Sequence, residues 1–403
     1  MNKIKNLIKG YYILLAKWNH HRNSNIWIFG EWFGKKCSDN CLYLANYISE
    51  KHPDIKVYWV IEGATNTDLL SNNIHVIGMD SAESRNIFSQ AGVIVMNQEF
   101  TDFSKSGYNL FGGAITINLW HGLMWKKIGF DIRKKHGFFA TFYHRIEKKI
   151  ENADYWLVPS EEAKKHFQTA FLIDDKHSIK CGYPRNQIFY DDAFLQKIRK
   201  QTEQLVFEET NENIHVEKIL AYMPTFRDNT DEVFSFSAIS EDTRLRDLLE
   251  KHHAVIIEKS HFVSSIRKKS SGEVKQNGRI LFVDSIQATE LLASSDLLIT
   301  DYSSCFFDFL LLDRPIIHYI YDYDYYVNND RGVYYKKEEI ACGKTPMNVE
   351  ELLDALEEYL IDPTEDHELR DRQRRLFWEY DSKDTCERIY QEIDRICQGR
   401  EET

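Results

Sequence analysis

Four short segments carry side chains suited to chemistry on a charged substrate: Trp120-His121-Gly122, Pro224-Thr225-Phe226-Arg227-Asp228, Lys259-Ser260-His261 and Thr300-Asp301-Tyr302-Ser303-Ser304. An imidazole with an ordinary pKa near ~6.5 can take a proton from a hydroxyl at neutral pH. An arginine neutralises and grips phosphate oxygens. Two serines at a helix start, beside backbone N–H groups that lack intrahelical partners, form an anion cradle. Singly, each signal is weak. A lone histidine is more often a hydrogen-bonded structural residue, and Asp301 with its serines would serve equally as a helix cap. Together the four describe attack by a hydroxyl on a phosphorus or sugar centre.

Each segment follows a short apolar run that reads as a buried strand. Leu297-Leu298-Ile299 leads into the Thr300–Ser304 turn, then a helix carrying Phe306, Phe309, Leu310 and Leu311, then Pro315 and a second run at Ile316-Ile317. That is a βαβ unit. Ala114 to Trp120 reads as a strand that delivers His121 and Gly122 to its C-terminal end; Lys218 to Tyr222 and Ala254 to Ile257 do the same for their turns. Upstream, runs at 26–29, 57–61, 75–77 and 93–96 alternate with helical patterns, and Tyr155–Val158 ends at Ser160, a helix cap. Alternation of this kind predicts α/β lobes with parallel sheets, whose ligands sit at the strands' carboxyl ends. The charged run from Asp191 to Glu217 marks a boundary. The expected divisions are an amphipathic segment over 1–22, α/β domains over 23–205 and 206–362, and a charged helical tail over 363–403.

The remaining features narrow the class. The 403 residues are 43% hydrophobic and 28% charged, which is ordinary for a globular chain, and a net charge of −12 argues against a nucleic-acid partner. Seven cysteines without a CxxC pair read as reduced thiols. No metal site is expected: Asp322-Tyr323-Asp324 has a metal-motif spacing but falls among tyrosines in an expected loop. No run reaches the ~20 apolar residues of a membrane span. Ile4, Leu7, Ile8, Tyr11, Leu14, Leu15 and Trp18 recur at helical spacing with Lys3, Lys5, Lys9 and Lys17, as in a basic helix lying in a membrane interface. The aromatic and basic stretch from Phe138 to Lys149 is a second candidate surface.

WHGxxxKKIGFD, SEEAKKHF, GYPRN, YMPTFRD and TDYSSCFFDF, in this order, together resemble the CDP-glycerol glycerophosphotransferase family, whose members build teichoic acids and related, capsule-type polymers. The resemblance implies a GT-B-like fold, two Rossmann-like lobes facing a cleft with nucleotide held mainly by the C-terminal lobe. It implies a CDP-glycerol donor, a lipid-linked saccharide or polymer as acceptor, and peripheral attachment to the cytoplasmic face of the membrane. On that reading His121 is the general base and His261 stabilises or protonates the leaving phosphate. Gly122, Arg227, Thr300, Asp301, Ser303, Ser304 and Asp308 bind substrate, with no cofactor. Two departures stand out. Leu123-Met124-Trp125 replaces a proline-containing pair after the His-Gly, at positions bordering the acceptor side, and His261 precedes Phe262 where the family has proline. Rival readings are a CDP-ribitol donor, a nucleotide-sugar glycosyltransferase on the same fold, and a silent scaffold. With little sequence beyond two lobes, priming, short extension or a capsule-type transfer is favoured over polymerisation.

Overall fold

The structure is a computed structural model that describes residues 22–107, 110–132, 152–210, 214–225, 234–259, 278–329 and 332–401. The N-terminal basic segment, the Phe138–Lys149 stretch, Arg227 and His261 lie outside the described residues. The chain divides into two compact units, Met1–His121 with Gly129–Gln187 and Trp378–Thr403, and Gly122–Ile128 with Ile188–Phe377.

The first unit is built on a seven-stranded sheet. Its strands are β1 (Asn23–Gly30), β2 (Lys56–Ile61), β3 (His75–Gly78), β4 (Ala91–Met96), β5 (Ile115–Asn118), β6 (Tyr155–Val158) and β7 (Ser178–Lys180). All neighbours run parallel, in the order β3-β2-β1-β4-β5-β6-β7. Strands β4 and β5 are buried at every residue, the continuous apolar pattern of a parallel sheet covered on both faces. Helices start where the sequence supplies acceptors. Asp39 caps α1 (Asn40–Lys51), Ser81 caps α2 (Ala82–Gln90), and Ser160 accepts from the Ala163 N–H to cap α3 (Glu161–Phe171). The expected strand from Ala114 to Trp120 is shorter, because the Asn118 carboxamide accepts the Trp120 N–H at 2.8 Å and Trp120 turns to a φ of 56°.

The second unit holds a five-stranded parallel sheet of β8 (Lys218–Met223), β9 (Ala254–Glu258), β10 (Ile280–Phe282), β11 (Leu297–Thr300) and β12 (Ile316–His318), in the order β10-β9-β8-β11-β12. Its helices include α4 (Asp192–Thr210), α5 (Thr243–Lys251), α6 (Ala288–Ser294), the short α7 (Cys305–Phe309) and α8 (Tyr323–Asn329). The Asp322-Tyr323-Asp324 segment thus enters a helix and is not the expected loop, and the helix seats Tyr326 flat against Tyr302 at 3.8 Å. Then come α9 (Lys337–Ile340), α10 (Val349–Ile361) and α11 (His367–Phe377). Helix α10 sends Leu352, Leu353, Leu356 and Tyr359 into a core shared with Leu220, Ile256 and Ile299. The last helix, α12 (Thr385–Glu401), returns to the first unit, where Tyr390 stacks on His52 at 3.5 Å and Trp378 meets Tyr183. No helix among the described residues is long and apolar enough to cross a membrane.

Candidate functional site

Each sheet places polar turns at or beside the point where its strand order reverses. At such a switch point the loops leaving two adjacent strands diverge, which opens a crevice at their carboxyl ends. In the first sheet the reversal lies between β1 and β4; in the second, between β8 and β11. Each half-site is described within its own unit.

In the first unit, His121 follows β5 and is half-buried. Its Nδ1 lies 3.1 Å from the Asn97 carbonyl oxygen, at the end of β4. A carbonyl only accepts, so Nδ1 carries the proton, and whenever the ring is neutral its basic nitrogen is Nε2. The backbone around the ring is fixed as well. The Asn40 carboxamide donates to the Trp120 carbonyl at 2.8 Å, and the Arg185 guanidinium donates to the His121 carbonyl at 2.9 Å. Arg185 is in turn paired with Asp39 at 2.5 Å, both buried. Trp120 packs 4.0 Å from the imidazole and 4.6 Å from Phe171, and Trp32 lies 5.4 Å from the imidazole on its own account.

The turn leaving β1 is strained. Trp32, Phe33 and Gly34 all have positive φ, at 48°, 61° and 72°. For the two non-glycine residues this costs roughly 1–2 kcal/mol each. Gly34 has no alternative, since a Cβ there would sit 2.9 Å from the Glu62 nitrogen. Buried acceptors hold the turn in place. Asp102 accepts the Phe33 N–H at 2.8 Å, Asn97 accepts that of Trp32 at 3.2 Å, and Glu31 takes those of Ser38 and Asp39. Burial pushes the Asp102 carboxyl up to about 7, and burial with the nearby Asp39 pushes Glu31 well up.

In the second unit, the Thr300–Ser304 turn follows β11 and is tied to its switch-point neighbour β8. The Thr300 hydroxyl donates to the Met223 carbonyl at 2.7 Å, and Asp301 accepts the Thr225 N–H at 2.8 Å. Both residues are buried, and these bonds shape the crevice. Tyr302, fully buried, donates to Asp322 at 2.9 Å. Ser303 and Ser304 remain partly exposed, and Ser304 makes no side-chain cap bond to α7, unlike Ser160 on α3. Asp308 is buried one turn into α7. Burial raises the neighbouring Cys305 thiol to about 11, which keeps it protonated. His318, fully buried against Cys342, is held neutral because burial lowers its pKa to about 4.

Gly122 is buried and opens the segment that belongs to the second unit. There Trp125 packs 5.3 Å from Tyr302 and 5.7 Å from His318, and its indole donates to the Tyr335 carbonyl. Leu123-Met124-Trp125 is therefore core of the second unit and supports the Thr300–Ser304 turn. Asn97, Asn40, Arg185 and Trp32 were missed as site residues. The only sequence signal was that Asn97 and Trp32 sit just past apolar runs, Asn40 in the polar turn that starts a helix, and Arg185 in the Gly-Tyr-Pro-Arg-Asn turn. Among the described residues, one group has metal-ligand spacing, His215, Glu217 and His253, with ligand atoms within 4.8 Å. It lies where β8 and β9 begin, at the sheet edge opposite the Thr300–Ser304 turn.

Comparison with known proteins agrees with this architecture. The chain is 30% identical over 374 residues to a teichoic acid glycerol-phosphate transferase of Staphylococcus aureus, covering 90% of this chain and 91% of that one. It is 30% identical over 345 residues to a teichoic acid poly(glycerol phosphate) polymerase of Bacillus spizizenii, covering 83% and 84%. The solved structure of the wall teichoic acid polymerase TagF superposes with a TM-score of 0.78 at 22% identity, covering 99% of this chain and 97% of that one. The fold is shared, and the GT-B-like α/β class expected from the sequence holds. The model of the family described as CDP-glycerol:poly(glycerophosphate) glycerophosphotransferase matches residues 13–395. The chain belongs to that family.

Proposed function

We propose that this glycerophosphotransferase moves glycerol phosphate from CDP-glycerol to a hydroxyl of a lipid-linked saccharide or polymer acceptor, releasing CMP, at the inner membrane surface. The observation that carries the reading is His121, its Nδ1 held by the Asn97 carbonyl at the end of β4 beside a switch point, in a chain that matches its family almost end to end. Nε2 of His121 takes the proton of the acceptor hydroxyl as that oxygen attacks the phosphorus bearing glycerol. The bond from this phosphorus to the bridging oxygen breaks, and its electron pair leaves with CMP. His261 stabilises or protonates that leaving phosphate. Arg227, Ser303, Ser304 and the N–H groups of their turn cradle the pyrophosphate, and Asp308 accepts from the ribose. Gly122 contacts the substrate beside His121. Thr300 and Asp301 act by joining β11 to β8 under the cradle. The relative of similar span that is by name a polymerase removes the reason, drawn from length, for favouring short extension.

The test is CMP release with CDP-glycerol, CDP-ribitol and UDP-sugars as donors. CDP-glycerol is expected to be the preferred donor, and His121→Ala to lower turnover by roughly 10²–10⁴-fold with nucleotide affinity little changed. Preference for CDP-ribitol would reassign the donor. Near-normal turnover in folded His121→Ala would remove the base.

A further inference from the structure

We infer that Trp32 and Phe33 form an aromatic platform that binds a saccharide ring of the acceptor beside His121; the inference rests on the reading of His121 as the base. Three observations converge on these two residues. First, both hold left-handed backbone, with φ of 48° and 61°, a conformation that β-carbon sterics disfavour and that a glycine would adopt freely. Strain of this kind persists only where the surroundings impose it, and here the buried carboxylate of Asp102 and the carboxamide of Asn97 accept both N–H groups. Second, the turn exposes what folding would otherwise bury. Phe33 is 44% exposed, although the residues on either side of the turn, Glu31 and Gly34, are buried. Third, the position is fixed relative to the proposed base. The Trp32 indole donates to Asp39 at 3.2 Å, the same carboxylate that pairs with Arg185, and the ring lies 5.4 Å from the imidazole.

A strained turn that presents the Phe33 ring to solvent and sets the neighbouring Trp32 ring beside the imidazole suits a ligand with an apolar face and hydroxyl edges. A sugar ring is such a ligand: its C–H face lies on an aromatic ring while its hydroxyls stay hydrated or meet polar neighbours. The platform would place the sugar so that one hydroxyl reaches Nε2 of His121. CDP-glycerol needs no such surface, because its phosphates and nucleoside are proposed to bind the other unit.

Phe33→Gly separates a binding role from a structural one, because glycine accepts the φ that phenylalanine resists. The variant is expected to melt at or above the parent temperature. It is expected to raise KM roughly tenfold for a soluble acceptor carrying a saccharide, with kcat changed far less. KM for a glycerol phosphate acceptor without a sugar should not move, nor should CDP-glycerol affinity by calorimetry. Trp32→Leu should shift the same KM in the same direction. An unchanged saccharide KM overturns the platform, as does an equal loss with both acceptors. Loss of binding to anionic vesicles with unchanged acceptor KM would overturn it in favour of a membrane contact. Failure of the base reading has a different signature, since His121→Ala acts on kcat and leaves the acceptor KM to report on the platform.

Discussion

Arg185 shows how a residue far from the chemistry in sequence comes to govern it. Its guanidinium is buried, paired with Asp39 and bonded to the His121 carbonyl, so one side chain ties the turn after β7 to the turns after β1 and β5. A buried pair adds little net stability over apolar packing, but removing one partner strands the other charge at roughly 3–5 kcal/mol. Arg185→Leu is therefore expected to lose stability on that scale in urea denaturation. Adding Asp39→Asn should restore more than ~1 kcal/mol of the loss, since the stranded charge disappears while the cap on α1 is kept. Simply additive losses would mean that the pair is not coupled. Asp39→Asn alone should also lose stability, because it strands the buried Arg185 charge and its one amide oxygen can keep the Asn40 N–H but not the Trp32 indole as well.

At the scale of elements, two serines at helix starts have different duties. Ser160 accepts the Ala163 N–H and caps α3, whereas Ser304 makes no cap bond to α7. Ser160→Ala is expected to cost ~1 kcal/mol of stability without touching donor affinity. Ser304→Ala, alone or with Ser303→Ala, should stay within ~0.5 kcal/mol of the parent in stability and weaken CDP-glycerol binding in calorimetry. If the Ser303/Ser304 variants lose stability as Ser160→Ala does and bind CDP-glycerol normally, the turn is structural. The short α7 is held by its neighbours more than by caps: Phe306 and Phe307 stack at 4.0 Å, and Phe307 meets Phe377 of α11 edge-on.

For the whole molecule, the proposed attachment to a membrane rests on the N-terminal basic segment. Each lysine near an anionic surface contributes about 1 kcal/mol at moderate salt, and Ile, Leu and Trp add insertion. Deletion of residues 2–18 is expected to release the protein from anionic vesicles while CMP release with a soluble acceptor persists. Continued sedimentation with vesicles would move the anchor to the Phe138–Lys149 stretch. Unfolding on deletion would make the segment part of the core.

The sequence by itself determined the strands and most helix starts, because parallel strands buried on both faces read as continuous apolar runs and caps need particular acceptors. Val349–Ile361 and Ser160 are read directly in this way. It also carried the family, through ordered motifs such as Trp120-His121-Gly122 and Thr300–Ser304. It did not show which turns share a crevice. That depends on strand order, and the reversals between β1 and β4 and between β8 and β11 come from pairing across the sheet, which no local pattern encodes. Hence Asn97 and Arg185, 24 and 64 residues from His121, were invisible as its partners. The tertiary structure alone assigned Gly122–Ile128 to the second unit and returned Trp378 and α12 to the first. An apolar Trp125 or Tyr390 announces burial, but only packing decides against which core. Trp32 and Phe33 make the same point: their left-handed backbone has no signature in residue type, and buried acceptors brought from β4 and the turn beyond it impose it.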